Sequence, residues 1–175
     1  MPNDTLGERT QVGIVGAGPA GLMLSHLLAT SGIDSVVVDH RSRTEIEHTH
    51  WAGILEQDSV RLLSESGASD RVYRDGHEHT GIELRFDGAG HRIEFEALVG
   101  ASVWLYPQTD VFVDLADARA RDGGDGRFAV TDTAVDAVTD RPVLRFTGGD
   151  GRRHAVECDY LVVADGSRYP AIVGL

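Results

Sequence analysis

The sequence predicts an α/β fold in which a parallel βαβ sheet carries antiparallel β-hairpin and meander insertions. Three observations predict it. Val12, Ile14 and Val15 form a short β-branched apolar run, the composition of a buried parallel strand. Gly16, Gly18 and Gly21 follow with G-x-G-x-x-G spacing, and Leu22, Leu24, Leu27 and Leu28 continue as a helix. A second apolar run, Ser35 to Val38, ends in Asp39.

Each glycine has its own physical task. Gly16 permits the tight strand-to-helix turn, Gly18 lets the backbone approach a pyrophosphate, and Gly21 lets the helix pack close to the strand. The helix N-terminus, opened by Pro19 and Ala20, presents unpaired N–H groups and the positive end of its dipole to phosphate. Gly32 is the expected helix stop. An acid about 20 residues beyond the glycines, here Asp39, is where a ribose hydroxyl is expected. The unit is Rossmann-like and binds a dinucleotide. A glycine turn in an unrelated α/β protein competes with this reading. So does a membrane span over Val12 to Ile33, which its glycines, a proline, Ser25-His26 and the lack of a basic flank oppose.

Farther along, Ile54, Leu55, Val60, Leu62 and Leu63 predict a helix stopped at Gly67. Ile82, Leu84 and Phe86 alternate, Asp87 to Gly90 turns, and Ile93 and Phe95 alternate again, so a hairpin insertion is expected over about 80–97. Val103 to Tyr106 reads as a short strand. Pro107 to Asp110 opens a helix with Thr109 or Asp110 as its cap. Arg121 to Arg127 reads as a glycine-rich loop, with one or two strands around Phe128, Val130, Val135 and Val138. Pro142–Thr147 and Arg152–Glu157 form a second hairpin around GGDG, and Asp159 to Ala164 is a further buried strand running into Asp165-Gly166.

The chain has 175 residues, enough for one domain with a sizeable core, and no internal repeat or linker. A formal net charge of −12 opposes binding to nucleic acid or an anionic membrane. It does not oppose an anionic cofactor, whose phosphates would meet backbone amides. The single cysteine, Cys158, allows no internal disulfide and suggests the reducing cytoplasm, and the polar, acidic leader lacks signal-peptide features.

GAGPAG, VVVD, WAGILEQ, YPQTDV and DYLVVADGS together resemble, in type and order, the group A flavoprotein aromatic hydroxylases. AGILEQ followed by VRLLSESGASDRVYRDGHEHTGIELRF most resembles their 4-hydroxybenzoate 3-monooxygenase branch. The resemblance implies FAD, with NADPH or NADH as co-substrate. It places the pyrophosphate on Gly16, Gly18, Pro19, Ala20 and Gly21, and the adenosine ribose on Asp39. Ala52, Gly53 and Ile54 correspond to backbone beside the flavin ring, Gln108 to a glutamine that contacts FAD, and Asp165 and Gly166 to a turn serving FAD and the nicotinamide nucleotide. It further implies that a flavin hydroperoxide hydroxylates a phenolic acid ortho to its hydroxyl.

Two substitutions depart from the family. His40, followed by Arg41, stands where an arginine usually follows the ribose acid. Thr49, His50 and Trp51 stand where the family has an R-x-R before Ala52-Gly53, so neutralisation of the phosphates is expected to be weaker unless Arg41, Arg43, His48 or His50 substitutes. The family also continues well past residue 175 with its substrate sheet. The chain therefore resembles the FAD-binding domain of a longer hydroxylase, with the C-terminal portion or a partner chain missing and catalytic residues unassigned. An NAD(P)-dependent dehydrogenase-type domain and a non-catalytic or split FAD-binding remnant are the competing readings. No metal site is expected. The H-x-H pairs His48/His50 and His77/His79 lack a third ligand and read as exposed loop residues. Cys158 reads as a small buried residue, and Trp104 and Tyr106 as core or interface side chains.

Overall fold

The computed structural model describes residues 5–49 and 53–166. The chain opens with β1 (Thr5–Val15), α1 (Pro19–Thr30), β2 (Ser35–Val38) and α2 (Arg43–Glu47). Then come β3 (Ile54–Glu56), α3 (Gln57–Glu65), α4 (Arg71–Asp75) and β4 (His77–His79). A hairpin, β5 (Gly81–Phe86) and β6 (Ala89–Glu94), leads through α5 (Phe95–Val99) to β7 (Val103–Leu105) and α6 (Gln108–Arg121). β8 (Asp125–Arg127), β9 (Thr131–Asp136), β10 (Val143–Thr147) and β11 (Arg153–Val163) complete the described chain.

The main sheet has the order β8-β2-β1-β11-β10-β9. Its first four strands are parallel, and β10 and β9 continue antiparallel. The chain leaves β1 through α1 to reach β2 on one side, and returns much later to β11 on the other. That reversal opens a crevice at the carboxyl ends of β1 and β11, where open α/β sheets bind ligands.

Both faces of the sheet are covered, which is why β2, Ser35 followed by three valines, is buried at every position. Ile14, Leu22, Val37, Phe112 and Leu115 form one core beneath α1 and α6. Val15, Val36 and Val38 join Leu144, Phe146 and Val156 in a second core on the meander side. A smaller antiparallel sheet, β3-β7-β4, joins the segments around Gly53 and Tyr106.

The α/β expectation holds, and several local readings need correction. The first strand begins at Thr5, because the polar leader pairs with the first half of β11. Glu8 explains its polar composition. It takes bonds from Arg127 of β8 and lies 2.7 Å from His154 Nδ1 of β11, tying three strands together. Arg127 is also bonded to Asp125, so the glycine-rich Arg121–Arg127 segment ends as edge strand β8 instead of a loop. Ile54 and Leu55 lie in β3, and the helix starts only at Gln57. Phe95 belongs to α5 instead of the hairpin. The second arm of the second hairpin and the final strand are one continuous strand, β11, and Tyr160 within it is exposed. α6 has Pro107 at its N-cap and no side-chain cap, since the Thr109 hydroxyl donates to the Thr49 carbonyl at 2.8 Å.

Candidate functional site

Gly16 ends β1 with φ +105°, a conformation that side chains rarely adopt, and a Cβ there would run into the Ala164 carbonyl. The reason is close packing. Ala164 N donates to Val15 O at 2.7 Å, so the turn after β11 presses against the turn after β1. A Cβ on Gly21 would strike the Gly16 carbonyl, which fixes how closely α1 enters the turn.

Gly18 differs from both. It is the N-cap of α1 in extended conformation, and a Cβ there would meet no protein atom within 4 Å. Nothing in the protein requires glycine at this position, so the space above it lies open beside the helix N-terminus. No side chain caps the first turn, and Pro19 occupies its start. Uncapped amides, a positive dipole end and an open backbone form a cradle that fits a pyrophosphate.

Asp39 ends β2 beside this cradle, with its side chain 2 % exposed. Ala17 N donates to its Oδ2 at 2.9 Å, and Arg41 N donates to its Oδ1 at 2.9 Å. The Arg41 guanidinium adds Nε to Oδ1 at 3.1 Å and Nη2 to Oδ2 at 3.0 Å. Burial pushes the Asp39 carboxyl upward, but the hydrogen bonds from Arg41 and Ala17 outweigh it and leave the group below its ordinary value. His40 Nδ1 lies 3.5 Å from Oδ1. Asp39 therefore holds the glycine turn as well as facing the crevice.

A cleft of about 190 Å³ lies between these turns, lined by Gly16, Asp39, His40, Thr131, Asp132 and Asp165 among others. It is smaller than the roughly 300–1,000 Å³ of most ligand pockets, so a dinucleotide would place one part in it and the rest along open surface. Three aspartates line the cleft, so attraction for phosphate has to come from the backbone amides, the helix end and Arg41. Among the described residues, the other basic candidates Arg43 and His48 are engaged elsewhere. Arg43 is paired with Glu47 and with Asp117 of α6, and His48 Nδ1 contacts the Thr44 carbonyl at the end of α2. Asp165 and Gly166 (φ +79°) follow β11 next to Gly16.

A second group of expected residues gathers around β3 and β7. Tyr106 N donates to Gly53 O at 3.0 Å, and a Cβ on Gly53 would collide with Tyr106 O and the Pro107 backbone. Gln108 and Ile54 are exposed next to this crossing, and Thr49 is held to Thr109. The structure thus brings WAGILEQ and YPQTDV together across one backbone contact. His50, Trp51 and Ala52 lie outside the described residues, as does Ser167 of the final turn.

This crossing stands on a network that the sequence motifs do not announce. Buried Tyr106 donates its hydroxyl to Asp114 Oδ2 at 2.7 Å, and Arg71 Nη1 donates to Asp114 Oδ1 at 2.9 Å. Arg71 also pairs with Asp110 and Asp75, and its guanidinium lies 5.7 Å from the Tyr106 ring centre. Burial and the adjacent Asp114 carboxylate push the Tyr106 phenol well above its ordinary value. The one available signal was Asp110 and Asp114 four apart on a helix, which puts both on one face.

Among the described residues no group of three or more His, Cys, Asp or Glu is placed to hold a metal. His77 and His79 are exposed on strand β4, not in a loop. Cys158 is buried and its thiol is pushed up by burial. Trp104 meets Tyr73 edge-on at 5.2 Å. No described helix is long and apolar enough to cross a membrane.

The family described as "FAD binding domain" matches residues 9–171. The p-hydroxybenzoate hydroxylase of Acinetobacter baylyi is 36% identical over 159 residues, covering 90% of this chain and 39% of that protein. The 3-(3-hydroxy-phenyl)propionate/3-hydroxycinnamic acid hydroxylase 2 of Burkholderia vietnamiensis is 33% identical over 173 residues, covering 93% of this chain and 30% of that protein. The chain thus spans well under half the length of these relatives. The crystal structure of p-nitrophenol 4-monooxygenase PnpA from Pseudomonas putida DLL-E4 superposes with a TM-score of 0.80 at 18% identity, over 93% of this chain and 42% of that one, and shows a shared fold. The anhydrotetracycline hydroxylase OxyS of Streptomyces rimosus superposes with a TM-score of 0.74 at 26% identity, over 90% of this chain and 32% of that one. With the family matched along nearly all of its length, and with an open glycine cradle beside Asp39, the chain belongs to the FAD-binding domain family.

Proposed function

We propose that the chain is the FAD-binding part of an NAD(P)H-dependent flavoprotein monooxygenase that hydroxylates a phenolic acid such as 4-hydroxybenzoate ortho to its hydroxyl. The observation that carries this reading is Gly18, a glycine that no protein contact requires, open at an uncapped helix N-terminus beside a buried acid. The hydroxylases among the relatives support the reaction class.

When bound, FAD supplies the redox chemistry, accepting reducing equivalents and activating dioxygen. This chain's residues bind and orient it. The α1 amides and Gly18 hold the pyrophosphate, and Asp39 with Arg41 faces the adenosine ribose. Gly53, Ile54 and Gln108 border the flavin ring, with Ala52, His50, Trp51 and Thr49 leading into that stretch. Asp165 and Gly166 close the turn against Gly16. No side chain here acts as nucleophile. The groups that grip the aromatic acid belong to the length that the relatives carry beyond this match, supplied by further polypeptide.

Titration with FAD, followed by flavin fluorescence and absorbance, tests the binding reading, and saturable binding is expected. Product analysis with 4-hydroxybenzoate, FAD and NADPH tests the rest. The 175-residue chain alone is expected to give no 3,4-dihydroxybenzoate and at most slow NADPH oxidation with release of hydrogen peroxide. Stoichiometric hydroxylation by this polypeptide alone would overturn the assignment of substrate-binding groups elsewhere.

A further inference from the structure

The two halves of the proposed FAD site are held by different parts of the chain. The glycine cradle and Asp39 rest on the main sheet, through the Ala17–Asp39 and Ala164–Val15 bonds. Gly53, Ile54 and Gln108, which the function proposed above sets beside the flavin, rest on or next to the small sheet β3-β7-β4. Each of its strands has only three residues, so the sheet contributes little stability of its own. Ile54 is 61 % exposed and Gln108 is exposed too, so core packing fixes neither. Their placement depends on what lies under the crossing.

One side chain, Arg71, gathers those supports. Its guanidinium bonds Asp110 and Asp114, which stand one turn apart on α6, and Asp75 of its own helix at 3.1 Å. Asp114 also takes the Tyr106 hydroxyl at 2.7 Å, and Tyr106 N donates to Gly53 O at 3.0 Å. Asp110 lies two residues from Gln108 in the first turn of α6, which no side chain caps. Arg71 thus reaches Gln108 through Asp110 and the Gly53 crossing through Asp114. A planar guanidinium with donors on several edges can hold both carboxylates at once, which a lysine ammonium does not reproduce. Arg71 does not line the cleft beside Asp39.

We propose that Arg71 is a positioning residue for the flavin half of the cofactor site. By bridging Asp110 and Asp114 it sets where Gln108 and Gly53–Ile54 stand, and it leaves the pyrophosphate–adenosine half alone. The inference rests on the FAD reading above.

The test is calorimetric titration of the full 175-residue chain with FAD and with ADP, which carries the adenosine and pyrophosphate alone, together with visible circular dichroism of the bound flavin. The wild-type chain should bind FAD about tenfold or more tighter than ADP. Asp110→Asn frees one arm of Arg71 and keeps the buried Asp114–Tyr106 bond, so it is the mild variant. It should weaken FAD about fivefold and reduce the flavin signal, with ADP affinity held within about twofold. Arg71→Ala should bring FAD affinity to within about threefold of ADP, and Arg71→Lys should recover only part of the loss. Gln108→Ala combined with Asp110→Asn should lose less FAD affinity than the two single changes added together, because one acts through the other. An unchanged FAD-to-ADP ratio and flavin signal in Asp110→Asn overturns the positioning role. So does equal loss of FAD and ADP, the mark of a scaffold alone, and so does full additivity with Gln108→Ala. Full recovery by Arg71→Lys overturns the two-armed bridge. A wild-type chain that binds FAD no tighter than ADP overturns the positioning and leaves the dinucleotide cradle standing. A wild-type chain that binds neither strikes the FAD reading and the positioning with it.

Discussion

Arg41 grips Asp39 as a fork, with Nε on Oδ1 and Nη2 on Oδ2, while the amides of Arg41 and Ala17 each give the same carboxylate one more bond. A carboxylate offers about four acceptor positions, and these four donors take them. For a ribose hydroxyl to reach Asp39, one donor has to yield, and the guanidinium on its flexible stem is the one able to do so. Asp39→Ala should lower FAD affinity about ten- to a hundredfold. Arg41→Ala should leave a buried carboxylate without its counter-ion and cost about 2–4 kcal/mol of stability, read by urea denaturation without FAD. An Arg41→Ala chain as stable as wild type would show that the fork holds nothing.

The glycines of the loop should separate into two classes. Gly16→Ala and Gly21→Ala place a Cβ against the backbone of Ala164 and Gly16, and should destabilise the chain by about 2 kcal/mol or more. Gly18→Val meets open space and should change stability by no more than about 1 kcal/mol. It should nevertheless cut FAD affinity by on the order of tenfold or more, because the added methyls fill the cradle. Thermal melts and FAD titrations on the three variants separate folding from binding.

Tyr106→Phe should cost about 1–3 kcal/mol by removing the buried hydroxyl that donates to Asp114, with urea midpoints as the measure. The upward-shifted phenol also predicts that Tyr106 ionises late. In an ultraviolet titration Tyr106 should ionise only with alkaline unfolding. A tyrosinate signal from Tyr106 in the ordinary range would contradict the bond.

Glu8 links β1, β8 and β11 through Arg127 and His154. Hydrogen bonds from Arg127, then from His154, hold its carboxyl at about 2 against an ordinary 4.5. A carboxyl depressed on folding contributes stability that is complete above the ordinary value and lost as pH falls toward the folded one. The wild-type advantage over Glu8→Gln should therefore be about 1–2 kcal/mol at neutral pH and fade between pH 4.5 and about 2. A pH-independent gap between the two denaturation midpoints would rule this out.

The βαβ core was legible because its residues obey local rules. Strand β2 could be bounded residue by residue from its apolar run, and Gly16 and Gly32 carry positive φ at the turn and helix stop expected of them. What was hidden depends on distant partners. Thr5 to Thr10 look like part of a polar leader because their strand partner is β11 at the far end of the chain. Asp125–Arg127 is strand only because β2 offers an open edge and Glu8 a counter-ion. Ile54 and Leu55 fit a helical pattern until Trp104 and Leu105 pair with them. At the site, Asp39 and the glycines could be located in advance. The fork from Arg41 and the Tyr106–Asp114–Arg71 support could not, since ion pairing across elements leaves no periodic trace.

The β1–β11 pairing also governs how the chain folds. Thr5 lies opposite Arg153 and Val15 opposite Val163, so the centre of the main sheet is assembled from the two far ends of the described chain. That contact cannot form until the loop between them has closed, and the entropy of closing it comes before the reward. During synthesis, α1 and β2 emerge with β1 lacking its inner neighbour, and its apolar edge stays open until β11 has left the ribosome. Folding should thus be slow and late, with the unpaired β1 edge the place where aggregation begins.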